Sequence, residues 1–423
     1  MKTVLKNITT YRDTFIVGLL IATVVVIPLF FDIRLYSVFD LSKLGALYLL
    51  TISILAMWSI IVIFKHDFKF SHTAIDIPIL VYIFIFIISS MISINPIMSL
   101  FGTYKRFEGL TATLCYIFLF YATVNFATTQ KRLYLLIVAT VVGAAVSSVY
   151  GIAQHLGFDI FKWSSFEARR VFSTFGNPVF FSAYLVMTLP LAVALFLRDS
   201  FQQTEAQVLK NFKNSHVLWT FFIISSIIYT AFWLTNTRAC FVALLGGLTP
   251  LLFLIFKRHS KEKYKFFILV VSFTLIGILF NVRYESSIVK RFIERFTDDM
   301  RTNENLSISS NDKKGLEELS ISKIIQIHKR PWIATKLPVI ESTFSRIFQY
   351  LTAIEIVKDY PALGIGPDTI GILYQKNLAK VFSVLESDHG FQFPRQDRIH
   401  NDILDTAATR GIFGLGTYIW LLT

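Results

Sequence analysis

Arg238 and His400 are the residues of this 423-residue chain whose types and positions best suit chemistry. Arg238 ends the polar break 235–238 between two apolar runs, and His400 lies shortly before the last apolar run. A guanidinium stays charged at physiological pH and forks onto phosphate oxygens, whereas a neutral imidazole can accept a proton near neutral pH. Ionisable groups close to hydrocarbon are costly and are kept where they act. The sequence therefore predicts a reaction centre that contains both residues.

The composition predicts an all-α protein that crosses a membrane many times. Hydrophobic residues make up 54% of the chain and charged residues only 16%, which is more apolar than a soluble domain of this size. A helix needs about 20 apolar residues to cross the hydrocarbon. Runs of about this length occur nine times before residue 283, at 14–31, 44–64, 74–94, 111–126, 133–154, 178–197, 217–234, 239–256 and 266–282. We therefore expect a polytopic transmembrane helical bundle of about nine helices in residues 1–282.

Positive charges in the loops predict the orientation of these helices. Lys and Arg favour cytoplasmic loops, and here they gather in every second loop. The residues concerned are Lys65, Lys69, Lys131, Arg132, Arg198, Lys210, Lys213, Lys257, Arg258, Lys261, Lys263 and Lys265. This pattern places the N-terminus in the cytoplasm and Arg238 and His400 outside. The net charge of +13 forms no aromatic-rich soluble patch, so we expect no nucleic-acid partner.

Residues 283–411 form the large extracytoplasmic loop that this orientation predicts. An amphipathic helix of about 13 residues on the outer membrane face is indicated there by apolar residues at helical spacing. These residues are Ile347, Leu351, Ile354 and Val357. The helix should stop before Pro361, and Gly364 to Pro367 predicts a turn. A second short helix is expected over 401–409, and residues 412–423 read as the start of a further transmembrane helix that is cut short.

Five short motifs follow one another in an order that is typical of one family of membrane enzymes. They are Phe101 to Gly109, Ser173 to Pro178, Thr235 to Ala239, Asp359 to Pro367, and His400-Asn401 followed by Gly411 to Leu415. Together they resemble the O-antigen ligase and polymerase family over nearly the whole chain. The resemblance implies a glycosyltransferase of GT-C-like fold that moves a glycan from undecaprenyl diphosphate to an acceptor outside the plasma membrane. Thr237 stands where that family usually has serine.

The chemistry of that donor indicates which residues would bind it. Breaking the bond from sugar to diphosphate puts negative charge on the leaving group, which a guanidinium can neutralise. We assign Arg238 to catalysis, and we assign the remaining outer cations to donor binding. These cations are Arg169, Arg170, Lys105 and Arg106. Alternatively, Arg238 could anchor its helix at the headgroups, and Lys105 and Arg106 could form a solvated loop with an internal ion pair to Glu108.

His400 is the predicted general base. An acceptor hydroxyl is a poor nucleophile until a base takes its proton, and a neutral imidazole can do so at external pH. The alternative role is a surface histidine or a helix cap. Asp397, His400 and Asp402 could instead be metal ligands, but no outer loop contains an Asp-x-Asp pair. We expect a mechanism without a metal or any other cofactor.

The predicted function is therefore an inverting O-antigen ligase reaction on a lipid acceptor such as lipid A–core. Three alternatives stay open. The acceptor could be another lipid-linked glycan, as in a polymerase, or a protein hydroxyl, as in a protein O-oligosaccharyltransferase. A membrane transporter is the alternative of another class, but it should carry ionisable residues near mid-membrane and inverted repeats, whereas the middle of each apolar run here is nearly uncharged.

Reporter fusions test the predicted orientation. Alkaline phosphatase, which is active only outside the cytoplasm, should be active when fused near Asn311 and inactive when fused after Lys265, because the Lys-rich loops stay inside. Activity is normalised to the amount of fusion protein, and a cytoplasm-dependent fluorescent reporter at the same two points is the control. The reverse pattern would place Arg238 and His400 on the wrong face for a lipid-linked donor.

Overall fold

The computed structural model describes residues 2–64, 70–104, 106–161, 163, 170–197, 215–257, 263–283, 338–384 and 396–423, and these residues form helices and turns but no strand. The helices are α1 Lys2–Leu29, α2 Asp40–Phe64, α3 Asp76–Met91, α4 Pro96–Phe101, α5 Leu110–Phe126, α6 Gln130–His155, α7 Pro178–Phe196, α8 Ser215–Thr235, α9 Arg238–Lys257, α10 Lys263–Arg283, α11 Pro338–Asp359, α12 Ile370–Val384 and α13 Asp402–Leu422. A short 3₁₀ turn, Ser173–Phe175, precedes α7. The predicted all-α fold is confirmed.

Each of the nine predicted apolar runs coincides with one of these helices. Within the described residues, four stretches are long and apolar enough to cross a membrane by length and composition alone: Asp40–Ile63, Gln130–His155, Pro178–Phe196 and Val217–Thr235. Shorter apolar helical stretches occupy the other five positions: Asp13–Leu29, Asp76–Met91, Leu110–Phe126, Ala239–Leu251 and Tyr264–Phe280. The helices therefore lie where the hydropathy pattern predicts them, as expected of a polytopic membrane protein.

The chain folds as two compact units. The first unit comprises residues 1–69 and 119–294, and the second comprises residues 70–118 and 295–423. These two units are defined by how compactly their residues pack. The boundaries predicted at residues 282 and 411 instead separate membrane-embedded from extracytoplasmic residues, and they stay a prediction. Arg170 and Arg238 belong to the first unit, and Arg106 and His400 belong to the second.

The core of the first unit is formed by α7 and the helices around it. Phe181, Leu185 and Leu189 of α7 are fully buried, as are Ile228 and Phe232 of α8. The helices α6, α9 and the 3₁₀ turn also contact α7. In lipid the hydrophobic effect does not drive helices together, so close van der Waals packing of such side chains stabilises their association. The packing places the C-terminal end of α8, and therefore the turn that follows it, on a rigid scaffold.

The core of the second unit lies between α11, α12 and α13. Phe348 and Ile356 of α11 are buried against this core, which also contains Tyr374 of α12 and Ala408 of α13. The predicted helix therefore exists and ends at Asp359, but it has 22 residues and its buried face is offset from the predicted apolar stripe. Ile354 of that stripe is 42% exposed. The reason is that α12 and α13 cover the neighbouring face, which the sequence pattern alone cannot show.

The predicted turn at 364–367 is confirmed, and its backbone packs directly against the backbone of α13 at Thr409. Gly366 adopts a φ of 102°, and its N–H donates to the carbonyl of Thr409 at 2.9 Å. On its other side Ser93 Oγ lies 2.6 Å from Ser99 Oγ, and Ser99 Oγ donates to the carbonyl of Pro367 at 2.9 Å. A positive φ and the absence of a side chain both require glycine here.

The last helix is interrupted where the sequence separates a short polar helix from the following apolar run. Asn401 caps α13, because its Oδ1 accepts from the N–H groups of Ile403 and Leu404 at 3.1 and 3.2 Å. Gly411, with φ 67° and ψ −169°, breaks the helical geometry. The break confirms the predicted short helix and leaves residues 412–422 as a separate apolar helical segment.

The packing of Gly366 makes it a sensitive position. A Cβ there would lie 2.0 Å from Ser93 Oγ, so Gly366→Ala should lower the free energy of unfolding by about 2 kcal/mol or more, through overpacking and backbone strain. The measurement is the thermal unfolding midpoint in detergent. Gly416→Ala is the control in the same unit, because nothing lies within 4 Å of its Cβ position. Equal midpoints for the two variants would contradict the packing described here.

Candidate functional site

In the first unit the candidate site is the tight turn from α8 to α9. The helix α8 ends at Thr235 and α9 begins at Arg238, so only two residues connect them. Asn236 makes the reversal with a φ of 52°, and Thr235 and Thr237 are buried. Arg238 is thus the first residue of α9, where free backbone N–H groups and the helix dipole favour an anion. The polar break in the sequence is therefore a helix start that carries a cation.

Arg170 is brought to this turn from a distant part of the first unit. Its Nε donates to the carbonyl of Thr235 at 3.0 Å, and its Nη2 donates to Oγ1 of Thr237 at 3.1 Å. The next residue, Val171, donates its N–H to the carbonyl of Leu234 at 3.3 Å. Arg170 therefore contacts the 235–238 turn, and the hydroxyl of Thr237 accepts its hydrogen bond as a serine hydroxyl would. Its assignment to donor binding stays a prediction. Arg169 lies outside the described residues.

In the second unit two ion pairs join the loop before α5 to the segment before α13. Nε of Arg106 lies 3.1 Å from Oδ2 of Asp397, and Glu108 pairs with Arg398. The ion pairs thus join two segments about 290 positions apart, rather than closing within the loop as the alternative for Arg106 and Glu108 supposed. Lys105 lies outside the described residues. The pairs fix the segment 396–401, which carries the histidine.

The loop that contains Arg106 is closed by its two glycines and tied to Asp368. A Cβ on Gly102 or on Gly109 would lie 2.5 Å from backbone atoms of the same loop. Thr103 donates its N–H and its hydroxyl to Oδ2 of Asp368, at 2.6 and 3.1 Å. The described residues of the motif from Phe101 to Gly109 therefore form a tightly closed loop, and the guanidinium of Arg106 contacts Asp397.

His400 projects from a strained point directly before α13. Its φ is 55°, its side chain is exposed, and the preceding residue Ile399 is fully buried with its N–H donating to Oδ1 of Asp405 at 3.2 Å. The cap of α13 is Asn401, so His400 is not needed as the cap. A non-glycine residue in the left-handed region is held there by its surroundings, as is common at functional sites.

The charges around His400 favour its neutral form. Although the residue is exposed overall, burial of part of its ring and repulsion from Arg106 lower the pKa of His400 below its ordinary value, and Arg346 acts in the same direction. Attraction to Asp397 and Asp405 opposes this shift. Burial would raise the pKa of Asp397, but the hydrogen bond and the charge of Arg106, with smaller effects of a backbone hydrogen bond and of His400, together lower that pKa below its ordinary value. A histidine with a lowered pKa is neutral at external pH and can accept a proton.

The part of the chain that the structure describes contains no cluster of metal-ligating side chains. No three His, Cys, Asp or Glu side chains converge there, and Asp397, a candidate ligand, is paired with Arg106. Cys240 is buried and Cys115 half-buried, and neither forms a disulfide. The metal-free mechanism stays a prediction.

Sequence reasoning missed several charged residues of the second unit. Asp368 follows the glycine turn, and Asp405, Arg398 and Arg410 flank or form the short helix of α13; together they line one cavity. No spacing rule links them, because their partners lie hundreds of positions away: Arg410 bonds the hydroxyl of Tyr82, and Arg398 bonds Glu108. The one signal in the sequence that could have indicated these residues was the presence of charged side chains next to a predicted turn and in a short polar helix.

Comparison with known proteins gives one result. Residues 220–419 match a family model described as O-antigen ligase. No curated protein matches the chain, and no solved structure matches it. The matched range contains Arg238 and His400, whereas Arg106 and Arg170 precede it. Both candidate catalytic residues therefore lie in the part of the chain that matches the family.

The electrostatics of His400 can be tested directly. Asp397→Asn should lower the pKa of His400 further, because it removes a carboxylate that stabilises the imidazolium, and Arg106→Gln should raise it, because it removes a repelling charge. The measurement is the pH dependence of ring signals in protein labelled at histidine, with the His400 signal assigned from His400→Gln. His72, which pairs with Asp76, is the internal control and should not move. Unchanged values for His400 in both variants would contradict the assignment.

Proposed function

We propose that this chain, of which residues 220–419 match the O-antigen ligase family model, is an inverting glycosyltransferase of the plasma membrane. In this proposal it moves a glycan from undecaprenyl diphosphate to an acceptor hydroxyl on the outer face. The acceptor of the ligase reaction is lipid A–core. A polymerase or a protein O-oligosaccharyltransferase uses the same chemistry with another acceptor. The family match supports glycosyl transfer by this multi-helix chain.

The observation that carries the proposal on the donor side is the bonding of Arg170 to the 235–238 turn. The guanidinium of Arg170 bonds Thr237, which is the residue before Arg238 at the N-terminus of α9. As the bond from C1 to the diphosphate oxygen breaks, its electron pair stays on the diphosphate, whose charge grows. Fixed donors at that point stabilise the departing group more than the bound substrate. Arg238 is the proposed electrostatic catalyst, and Arg170 positions the turn and adds charge. Arg169 and Lys105 stay proposed donor-binding residues.

On the acceptor side His400 is the proposed general base. The acceptor oxygen attacks C1 from the face opposite the diphosphate, its proton passes to the neutral ring of His400, and the configuration at C1 inverts. Arg106 and Asp397 have two effects here: their ion pair holds the segment of His400, and the charge of Arg106 keeps the ring unprotonated. Arg106 also remains a proposed contact of the donor diphosphate, which would then compete with Asp397 for its guanidinium.

Substitutions separate the two roles. Arg238→Lys keeps the charge but loses the bidentate fork, so donor binding and transfer should both fall, transfer by about 10²-fold or more. His400→Ala should lower transfer by about 10²–10⁴-fold and leave donor binding nearly unchanged, because it removes only a proton acceptor. The measurement is binding of an undecaprenyl diphosphate-linked oligosaccharide beside single-turnover transfer, both in nanodiscs and normalised to folded protein.

Two matched variants make the same two substitutions elsewhere in the chain. Arg34→Lys changes an arginine that is exposed and paired with Asp32, and His72→Ala removes an exposed histidine paired with Asp76. Both should transfer at the normal rate. Normal transfer by His400→Ala would show that His400 is not the base. Normal donor binding by Arg238→Lys would show that the diphosphate does not bind at the 235–238 turn.

A further inference from the structure

A cavity of about 180 Å³ lies wholly within the second unit, and neither catalytic candidate lines it. Its rim contains the exposed carboxylates of Glu108 and Asp402, and its floor contains the buried residues Asp368 and Thr409. The volume corresponds to about six water molecules, which is enough for one small polar group. An exposed rim above a buried floor makes the cavity reachable from solvent.

Three buried polar atoms of residues that line this cavity have no partner among the described residues. They are Oδ1 of Asp368, Nε of Arg398 and Nε of Arg410. Asp368 is only 9% exposed, and its other oxygen is occupied by Thr103. A buried polar atom without a hydrogen bond costs about 1–3 kcal/mol. These three atoms provide one acceptor and two donors on residues that line the same cavity, which matches a group that both donates and accepts hydrogen bonds.

The remaining lining residues narrow the chemistry of that occupant. Three of them are aromatic: Tyr82, Phe86 and Tyr418. The guanidinium of Arg410 lies over the ring of Phe86, 5.0 Å from its centroid. A lining that combines aromatic rings with hydrogen-bonding groups suits a molecule with apolar C–H faces and polar hydroxyl edges.

Charge argues against an anionic occupant. Four carboxyl groups line the cavity against two guanidinium groups, and the guanidinium groups already contact Glu108 and Tyr82. A phosphate would meet more negative than positive charge there. A metal cation is not favoured either, because no three His, Cys, Asp or Glu side chains converge among the described residues. A neutral polyhydroxyl group satisfies both the free acceptor and the free donors.

From this geometry we infer that the cavity binds one sugar ring, with Oδ1 of Asp368 accepting from one hydroxyl and the Nε groups of Arg398 and Arg410 donating to other hydroxyl oxygens of the sugar. The inference rests on the proposed function for the identity of the substrate class, because a glycosyltransferase must hold sugar on its donor, on its acceptor or on both. Asp368 is then a specificity residue, and it contacts the glycan away from the general base.

The test variant is Asp368→Asn, which replaces the free acceptor by an N–H donor. Asp368 has a φ of 56°, which asparagine tolerates well, and burial raises the pKa of Asp368 to about 6, so the fold disfavours its charge and should accept the neutral amide. The control is Asp359→Asn in the same unit, since Asp359 pairs with the exposed Lys380 outside the cavity.

Sugar binding is measured by saturation-transfer difference NMR on the whole protein in nanodiscs. The probes are the methyl glycosides of glucose, galactose, mannose and N-acetylglucosamine, with inorganic pyrophosphate as the anionic probe. We expect at least one glycoside to bind the wild type and Asp359→Asn, and to bind Asp368→Asn at least about tenfold more weakly, since a hydrogen bond to a charged group is lost. Thermal unfolding midpoints confirm that each variant is folded.

Several outcomes would overturn the inference. They are binding of no glycoside to the wild type, equal affinity in Asp368→Asn, and displacement of the sugar by pyrophosphate from the same cavity. The test needs neither donor lipid nor transfer, so it is independent of the proposed reaction. His400→Ala should still bind the sugar while it loses transfer. Sugar binding without any transfer by the wild type would sink the proposed function and leave the sugar site standing.

Discussion

Backbone carbonyls at the ends of apolar helices need hydrogen-bond donors, and in this protein long cationic side chains supply them. Hydrocarbon offers no water, so a carbonyl left free at a helix end is costly. Nζ of Lys43 donates to the carbonyls of Ile27, Pro28 and Phe30, at 2.9, 2.9 and 3.2 Å, where α1 ends. Arg170 does the same for Thr235 at the end of α8. The same constraint that closes the helices therefore concentrates positive charge at the turns.

This constraint links stability to the candidate donor site. The guanidinium of Arg170 has five N–H groups. Its Nε–H and one N–H of Nη2 donate to the 235–238 turn. Its charge is thus fixed in place by structure before any substrate arrives. Preorganised charge stabilises a developing anion without reorganisation. Arg170 is therefore both a structural residue and a source of charge beside Arg238.

The second unit meets the same demand with small residues instead of cations. Ser89 donates to the carbonyls of Leu363 and Thr409, at 2.8 and 3.1 Å, and Gly366 approaches the backbone closely enough to bond Thr409 itself. Because the turn is held on both sides, Asp368 is buried with one oxygen bonded and the other free. Ion pairs of Asp397 and Arg398 then fix the segment of His400 from the opposite direction. Local packing thus sets both the cavity and the proton affinity of the histidine.

The sequence alone determined the features that depend on neighbours along the chain. Runs of apolar residues located the nine helices, the polar stretch 401–409 marked the short helix, and Gly364 to Pro367 marked a turn, because hydropathy, helix formation and backbone freedom are local properties. The family resemblance selected Arg238 and His400. Only the tertiary structure decided which face of α11 is buried, that Arg106 pairs with Asp397, and that Asp368 and Arg410 line one cavity. Those facts join residues hundreds of positions apart, and a contact of that kind depends on how helices pack rather than on any period in the chain.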